Sequence, residues 1–390
     1  MQLSKRITGI NAGGSDGWGV YSLAKKMAAE GHPVIHLTIG EHDIKTDPII
    51  LEAMYKAGMA GHTGYAFGMG NPGLRERIAK RVTDRSGVPT TPDNVIVVPG
   101  GQAGLFATHV ACCDPGERAL FIDPYYATYP GTIRAAGATP VPVRAHAKRA
   151  FQPDAADLAL VAEGASSLLI NSPNNPTGVV YTAETMDGIA GVCRDHGIWL
   201  ISDEVYDTQV WHGTHISPRS LPGMAGQTLV VNSFSKSHAM TGSRIGWVIG
   251  PEEALEHIGH LATNTTYGVS GFVQEAAVFA LDQGGAFEAK IAEPFRRRRD
   301  LVLRLLKEQN VVRAIPADGA MYIMLDIRAT GMSGEKFAES LLETHHVAVM
   351  PGESFGTSAA GHLRLALTVD DDRLAEAIQL LLSFAAKHAE

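Results

Sequence analysis

Chemistry in this sequence concentrates where short apolar stretches end. The stretch Leu229–Asn232 runs into Ser233-Phe234-Ser235-Lys236, and Arg244 follows eight residues after the lysine. A lysine amine condenses with a carbonyl to a Schiff base, while small donors beside a guanidinium make a grip for a phosphate. Together these suit pyridoxal phosphate. The stretch Ile198–Ser202 ends in Asp203-Glu204-Val205-Tyr206. A carboxylate there can pair with a pyridinium nitrogen and keep it protonated, which makes such a ring an electron sink; Asp203 is the candidate. Ser167–Asn171 leads into Ser172-Pro173-Asn174-Asn175-Pro176-Thr177-Gly178, where two prolines and a glycine stiffen a loop that can aim one amide at one oxygen. After Asn94–Val98 comes Pro99-Gly100-Gly101-Gln102-Ala103-Gly104, opening a helix. Glycines let backbone amides approach an anion and a helix N-terminus favours negative charge, so Gly101, Gln102 and Ala103 are assigned to the phosphate. The run fits neither a Walker loop nor a dinucleotide fingerprint. Taken singly, each feature is more often a solvated lysine, a turn or a loop. Their order along the chain is what joins them into a site.

With those residues in place, the sequence resembles the fold-type I aminotransferases of the class I and II group, whose signature is serine-x-serine-lysine followed by arginine-x-glycine. The likeness covers nearly the whole chain. It implies that Lys236 holds pyridoxal 5'-phosphate as a Schiff base, that Ser233 and Arg244 hold the phosphate with Ser235 as a further donor, and that Asp203 meets the ring nitrogen. Tyr206 and Asn175 match the donors to the ring 3-oxygen, and Tyr126, in Pro124-Tyr125-Tyr126, matches an aromatic ring that stacks on the pyridine. Lys236, Asp203 and Tyr206 are the implied catalytic set. Tyr65 matches a tyrosine that reaches the phosphate in the neighbouring subunit, which implies a homodimer with shared sites. Arg364, in His362-Leu363-Arg364-Leu365, matches the arginine that clamps the substrate α-carboxylate, a planar anion suited to a guanidinium fork. Gly40, in Ile39-Gly40-Glu41-His42-Asp43, matches a glycine lying against that carboxylate; the family pattern usually continues with proline where this chain has His42. Trp18 lies in the glycine-rich stretch Gly13-Gly14-Ser15-Asp16-Gly17-Trp18-Gly19, where the family has a mobile segment over the site, and would line the side-chain pocket. The implied reaction is a ping-pong transfer of an amino group between an L-amino acid and a 2-oxo acid. β-Lyases (C–S lyases) and decarboxylases share the same core motifs and stay open as alternatives. A non-catalytic, DNA-binding regulator would need a separate module, for which about 20 residues ahead of the first helix leave no room.

To position these residues the sequence needs a parallel sheet, since ligands sit beyond the carboxyl ends of strands in open α/β sheets. Seven short runs are spaced for it: 94–98, 119–123, 139–143, 167–171, 198–202, 229–232 and 245–249. Helical segments lie between them, for example Ala183 to His196, closed by Gly197. The expectation is an α/β fold with a large domain (46–285) built on a seven-stranded, mostly parallel sheet flanked by helices. A smaller α+β domain (286–390) should contain a helix over 295–309, a strand over 321–326, a helix over 335–343, strands over 347–350 and 363–369, and a helix from Asp372. Residues 1–45, with a helix over 21–29 and a strand over 34–39, are too few for a core and should pack against that smaller domain.

Composition excludes other classes. Hydrophobic residues make up 45% and charged residues 19%, as in ordinary globular proteins. A formal net charge of −8 gives no basic surface for nucleic acid or an anionic membrane. Arg296–Arg299 reads as a solvated or salt-bridged helix face, and His212, His215, His345 and His346 lack a spacing for zinc, so no metal is expected. Three cysteines, two of them adjacent (Cys112, Cys113) in an apolar run, suggest core thiols in a reducing compartment. With no secretory leader or membrane span in view, a cytoplasmic protein is expected.

Overall fold

The computed structural model describes residues 1–12, 18–66 and 68–389. Its strands are β1 (Ile35–Leu37), β2 (Val95–Val98), β3 (Arg118–Asp123), β4 (Thr139–Arg144), β5 (Ala165–Asn171), β6 (Trp199–Asp203), β7 (Thr228–Ser233), β8 (Gly246–Ile249), β9 (Arg313–Ala314), β10 (Tyr322–Asp326), β11 (Val347–Pro351) and β12 (His362–Ala366). Seven form one sheet in the order β2-β8-β7-β6-β5-β3-β4. Pairing from β4 through β7 is parallel, and β8 runs antiparallel to both β7 and β2. This is the mostly parallel seven-stranded sheet expected from the alternating pattern. Every residue of β7 is buried, as a strand covered by helices on both faces must be.

The helix Ala183–His196 shows how sequence sets these boundaries. Thr182 accepts from the Thr185 N–H at its start, Met186, Ile189, Ala190 and Cys193 form the buried stripe, and Gly197 ends it at φ 66°. Because β3, β5, β6 and β7 are parallel, their last residues Asp123, Asn171, Asp203 and Ser233 lie along one edge of the sheet, with Asn171 registered against Asp203. The polar ends of otherwise apolar strands thus converge.

The second sheet has the order β1-β11-β12-β10-β9. β1 pairs in parallel with β11, Ile35 against Val347, so the N-terminal strand completes a sheet made from the C-terminal part of the chain. Leu37, Phe295, Phe337 and Leu381 share one core cluster there. Of the boundaries that differ from expectation, three have a visible cause. The helix expected from Phe295 begins at Gly284 and runs through Pro294 to Leu306. Proline removes one helix hydrogen bond, but Phe287, Ile291 and Phe295 on the buried face hold both sides. β1 stops at Leu37 although the apolar pattern reaches Ile39, because the Thr38 and Ile39 carbonyls accept from the Arg364 and Thr368 side chains instead of a strand. β12 likewise ends at Ala366, and the Leu367 carbonyl accepts from Arg298 (3.0 Å).

Within the arginine run, Arg298 is only 4% exposed and forks onto Asp43 (2.6 and 2.8 Å), while Arg297 pairs with Asp371. The run is salt-bridged, as expected, though one member lies in the interior. The three cysteines are buried and unpaired. Among the described residues no helix is long and apolar enough to cross a membrane, and no cluster could hold a metal ion.

Candidate active site

A cavity of about 320 Å³ opens at the strand-end edge of the large sheet. Of the residues singled out in the sequence, it brings together Trp18, Gly40, Gly101, Gln102, Tyr126, Asn175, Asp203, Tyr206, Ser233, Ser235, Lys236, Arg244 and Arg364. Ala103 lines a larger adjoining cavity of about 950 Å³ that shares Trp18, Gln102 and Arg244 with the first. Tyr65 lies outside both; it is 91% exposed and tilts against Tyr267, ring centroids 5.1 Å apart. Gly13 to Gly17 fall outside the described residues.

Lys236 sits in the one-turn helix Phe234–Ser237 that follows β7 directly, with Ser233 as its N-cap. Its Nζ donates to the Gly40 carbonyl. Burial pulls the Lys236 amine down from its ordinary value to about 8; Arg364 and Arg244 add to the shift, while Glu41 and Asp203 oppose it. Burial thus favours the neutral amine. Gly40 is fixed from behind, since a Cβ on it would collide with the Tyr322 hydroxyl.

Asp203 ends β6, is 5% exposed and accepts from the Tyr129 hydroxyl (2.6 Å) and the Val205 N–H (3.3 Å). Burial raises its carboxyl to about 6 in spite of those bonds. A carboxylate so placed is stabilised by a cation brought against it. Asn171 holds the neighbouring loop: its Nδ2 donates to the Asp203 carbonyl (2.9 Å) and its Oδ1 accepts from the Asn175 N–H (2.7 Å). The Tyr206 hydroxyl meets that of Tyr322 at 3.0 Å, and burial lifts both phenols above their usual range.

Arg364 is 1% exposed and packs between the Tyr322 and Phe355 rings, its guanidinium carbon 4.6 and 4.3 Å from their centroids. Nη1 donates to Asn175 Oδ1 (2.9 Å) and Nη2 to the Thr38 carbonyl, while Nε is buried without a partner. Among the described residues no carboxylate pairs with it. An isolated buried cation is costly, and an anionic ligand would remove that cost. Asn175, which lines the cavity, gives its oxygen to Arg364, so Nδ2 is the side-chain donor it retains.

At the other end, Ser233 Oγ contacts Ser235 Oγ (2.8 Å) and Arg244 occupies a left-handed conformation (φ 49°). The Arg244 guanidinium lies over Gly100 (φ 83°), where a Cβ would stand 2.4 Å from Nη2. The helix Gly101–Cys112 starts with no side-chain cap, so its leading N–H groups face the same end as Arg244. The Gln102 side chain is engaged with Thr128 (3.1 Å), and the Ala103 N–H donates to the Gly100 carbonyl (3.2 Å). What Gln102 presents to an anion is therefore backbone.

Sequence reasoning missed Tyr129, Tyr322, Phe355 and the backbone of Thr38. Tyr129 and Tyr322 act on residues 74 and 116 positions away in the chain, and no local pattern marks such pairings.

A doubly wound sheet whose strand ends carry a depressed lysine, a buried carboxylate and a donor-lined anion end defines a pyridoxal-phosphate enzyme of fold type I: a pyridinium would satisfy Asp203, a phosphate would satisfy the Arg244 end, and an aldehyde would meet Lys236. The model for aminotransferase class I and II matches residues 32–381, and the chain belongs to that family. It is a pyridoxal-phosphate-dependent aminotransferase. It is 39% identical over 388 residues to the arginine–pyruvate transaminase of Pseudomonas aeruginosa, covering 99% of each chain. It is 34% identical to the aspartate/prephenate aminotransferase of Thermus thermophilus, covering 97% of each. The structure of Thermus thermophilus aspartate aminotransferase with maleate superposes with a TM-score of 0.91 at 33% identity, over 98% of this chain and 100% of that one.

Proposed function

We propose that the Lys236 cavity is where this aminotransferase works and that its residues divide the reaction as follows. Lys236 binds the aldehyde of the cofactor, is released when an amino acid enters, and carries the Cα proton on Nζ. Asp203, steadied by Tyr129, stays ionised and holds a proton on the ring nitrogen. The bound cofactor supplies an electron-poor ring that accepts the Cα electron pair. Asn175 Nδ2 and Tyr206 donate to the ring oxygen. Arg364 grips the α-carboxylate with Gly40 alongside, and Ser233, Ser235, Arg244 and the backbone of Gly101 and Gln102 hold the phosphate, the Ala103 N–H being given to the Gly100 carbonyl. Tyr126 stacks on the ring. The observation that carries this reading is the pairing within one cavity of a buried, carboxylate-free guanidinium, Arg364, with the amine of Lys236 and the carboxylate of Asp203. Borohydride reduction of the holoenzyme followed by peptide mapping should find the cofactor mass on Lys236; a label on another lysine would overturn the assignment.

The donor we propose is a long, cationic amino acid such as arginine, with pyruvate as acceptor. This rests on the Pseudomonas aeruginosa relative. It is supported by the adjoining 950 Å³ cavity, which Trp18 borders and where Glu335 and Glu339 give a distal cation opposite charge, although Arg134 and Arg244 share that lining. We further propose a cytoplasmic homodimer with shared sites. Exposed Ile49, Leu51, Tyr55 and Met59 on the helix Pro48–Met59, together with exposed Tyr65 and Tyr267, supply an apolar surface for a second copy. The domain limits 1–45, 46–285 and 286–390 remain our proposed division of the chain.

A further inference from the structure

The short helix that carries Lys236 has only one turn, and the carbonyls of a helix's last turn lack partners within it. For Lys236 that carbonyl accepts from the side chain of His42, at 3.0 Å from Nε2. A carbonyl can only accept, so Nε2 carries the proton and Nδ1 does not. Nδ1 is buried and has no partner. Burial, reinforced by Lys236, drives the imidazole down to about 3, so it stays neutral and adds no positive charge beside the amine. The ring stands edge-on to the fully buried Phe295, centroids 5.2 Å apart.

His42 lies two residues from Gly40, whose carbonyl accepts from Lys236 Nζ. One short segment thus holds both the backbone and the amine of the same lysine. Thr46 Oγ1 extends the attachment to the Ala239 carbonyl (2.6 Å), and Asp43 ties the segment to Arg298. The Thr38 carbonyl, at the segment's start, accepts from Arg364.

We propose that His42 is a positioning residue for Lys236: its neutral Nε2–H anchors the lysine carbonyl to the segment bearing Gly40, and so fixes the arc along which Nζ moves between cofactor and substrate. This rests on Lys236 being the cofactor lysine. The test compares His42→Gln, which keeps a donor at similar reach, with His42→Met, which keeps length and loses the donor. His42→Phe, which keeps the ring against Phe295, is a third arm expected to follow the methionine variant.

Cofactor-free protein is mixed with pyridoxal 5'-phosphate, the appearance of Schiff-base absorbance is timed, and the single-donor half-reaction is then measured. The methionine and phenylalanine variants should capture the cofactor about fivefold to tenfold more slowly and lose a similar factor in kcat, the magnitude of one lost hydrogen bond. KM for the donor should stay within about twofold, and glutamine should restore both rates. Equal capture rates in the glutamine and methionine variants, or a loss expressed in KM alone, would overturn the proposal. Lys236→Ala, run alongside, should give no Schiff-base absorbance; a band in that variant would instead overturn the assignment of Lys236.

Discussion

In its proposed role Lys236 faces two opposed demands: its amine must be neutral enough to attack a carbonyl and basic enough to carry a proton. Burial meets both by bringing it to about 8. The attacking form is the neutral amine, so capture of pyridoxal phosphate by cofactor-free protein should accelerate as pH rises through about 8 and level off above it. Stopped-flow absorbance at a series of pH values reads this directly, and a midpoint near that of a free lysine would contradict the burial argument. Much of the site at this scale was legible in the sequence. Lys236, Asp203 and Asn175 each follow an apolar run whose end is marked by a change to polar residues, and that change is local. Arg364, Gly40, Tyr126 and Tyr206 came from family resemblance, because nothing near them distinguishes a ligand contact from a packing residue. Tyr129 and Tyr322 were not legible, since their hydroxyls meet Asp203 and Tyr206 only once the sheets are assembled.

The elements matter because strand ends and segment crossings set where those side chains stand. The central strands of the large sheet could be read from apolar runs because their residues are buried on both faces, unlike those of the edge strand β4. The end of β1 could not, since a side chain from elsewhere, Arg364, takes the carbonyl that would have continued the ladder. A second crossing point follows the Asp203 turn. Asp207 is 5% exposed, and Arg81 donates to it (2.8 Å) and to Glu288 (2.8 Å), while the Arg85 Nη2 bonds the Asp207 carbonyl (2.7 Å). Those guanidiniums hold the Asp207 carboxyl well below the usual carboxylate range despite its burial. Arg81→Met would leave two buried carboxylates short of a partner and should destabilise the protein by about 3–5 kcal/mol, read by chemical denaturation of the cofactor-free form. A loss below about 1 kcal/mol would place this network among surface pairs. The sign with pH follows: the contribution is present above the unfolded carboxylate value and is lost as pH falls toward the depressed folded one.

At the scale of the whole molecule, the N-terminal strand joins the C-terminal sheet, and the segment 38–46 runs from there to the lysine on the large sheet. In the single subunit Tyr65 stands in solvent, and the proposed homodimer would cover it. Sedimentation should give twice the 41.5 kDa chain mass. If Tyr65 serves the neighbouring site, mixing Lys236→Ala with Tyr65→Phe subunits should rebuild one native site per mixed dimer, and the mixture should hold cofactor more tightly than either variant alone. No gain on mixing would place Tyr65 outside the site. Amino transfer at the proposed Lys236 site is read out by the half-reaction. Holoenzyme mixed with arginine alone, with no acceptor present, should convert its lysine-bound cofactor to pyridoxamine phosphate and release one 2-oxo acid per site, with pyruvate restoring the starting absorbance. Unchanged absorbance across a panel of common amino acids, or release of ammonia with no pyridoxamine form, would rule out amino transfer at Lys236.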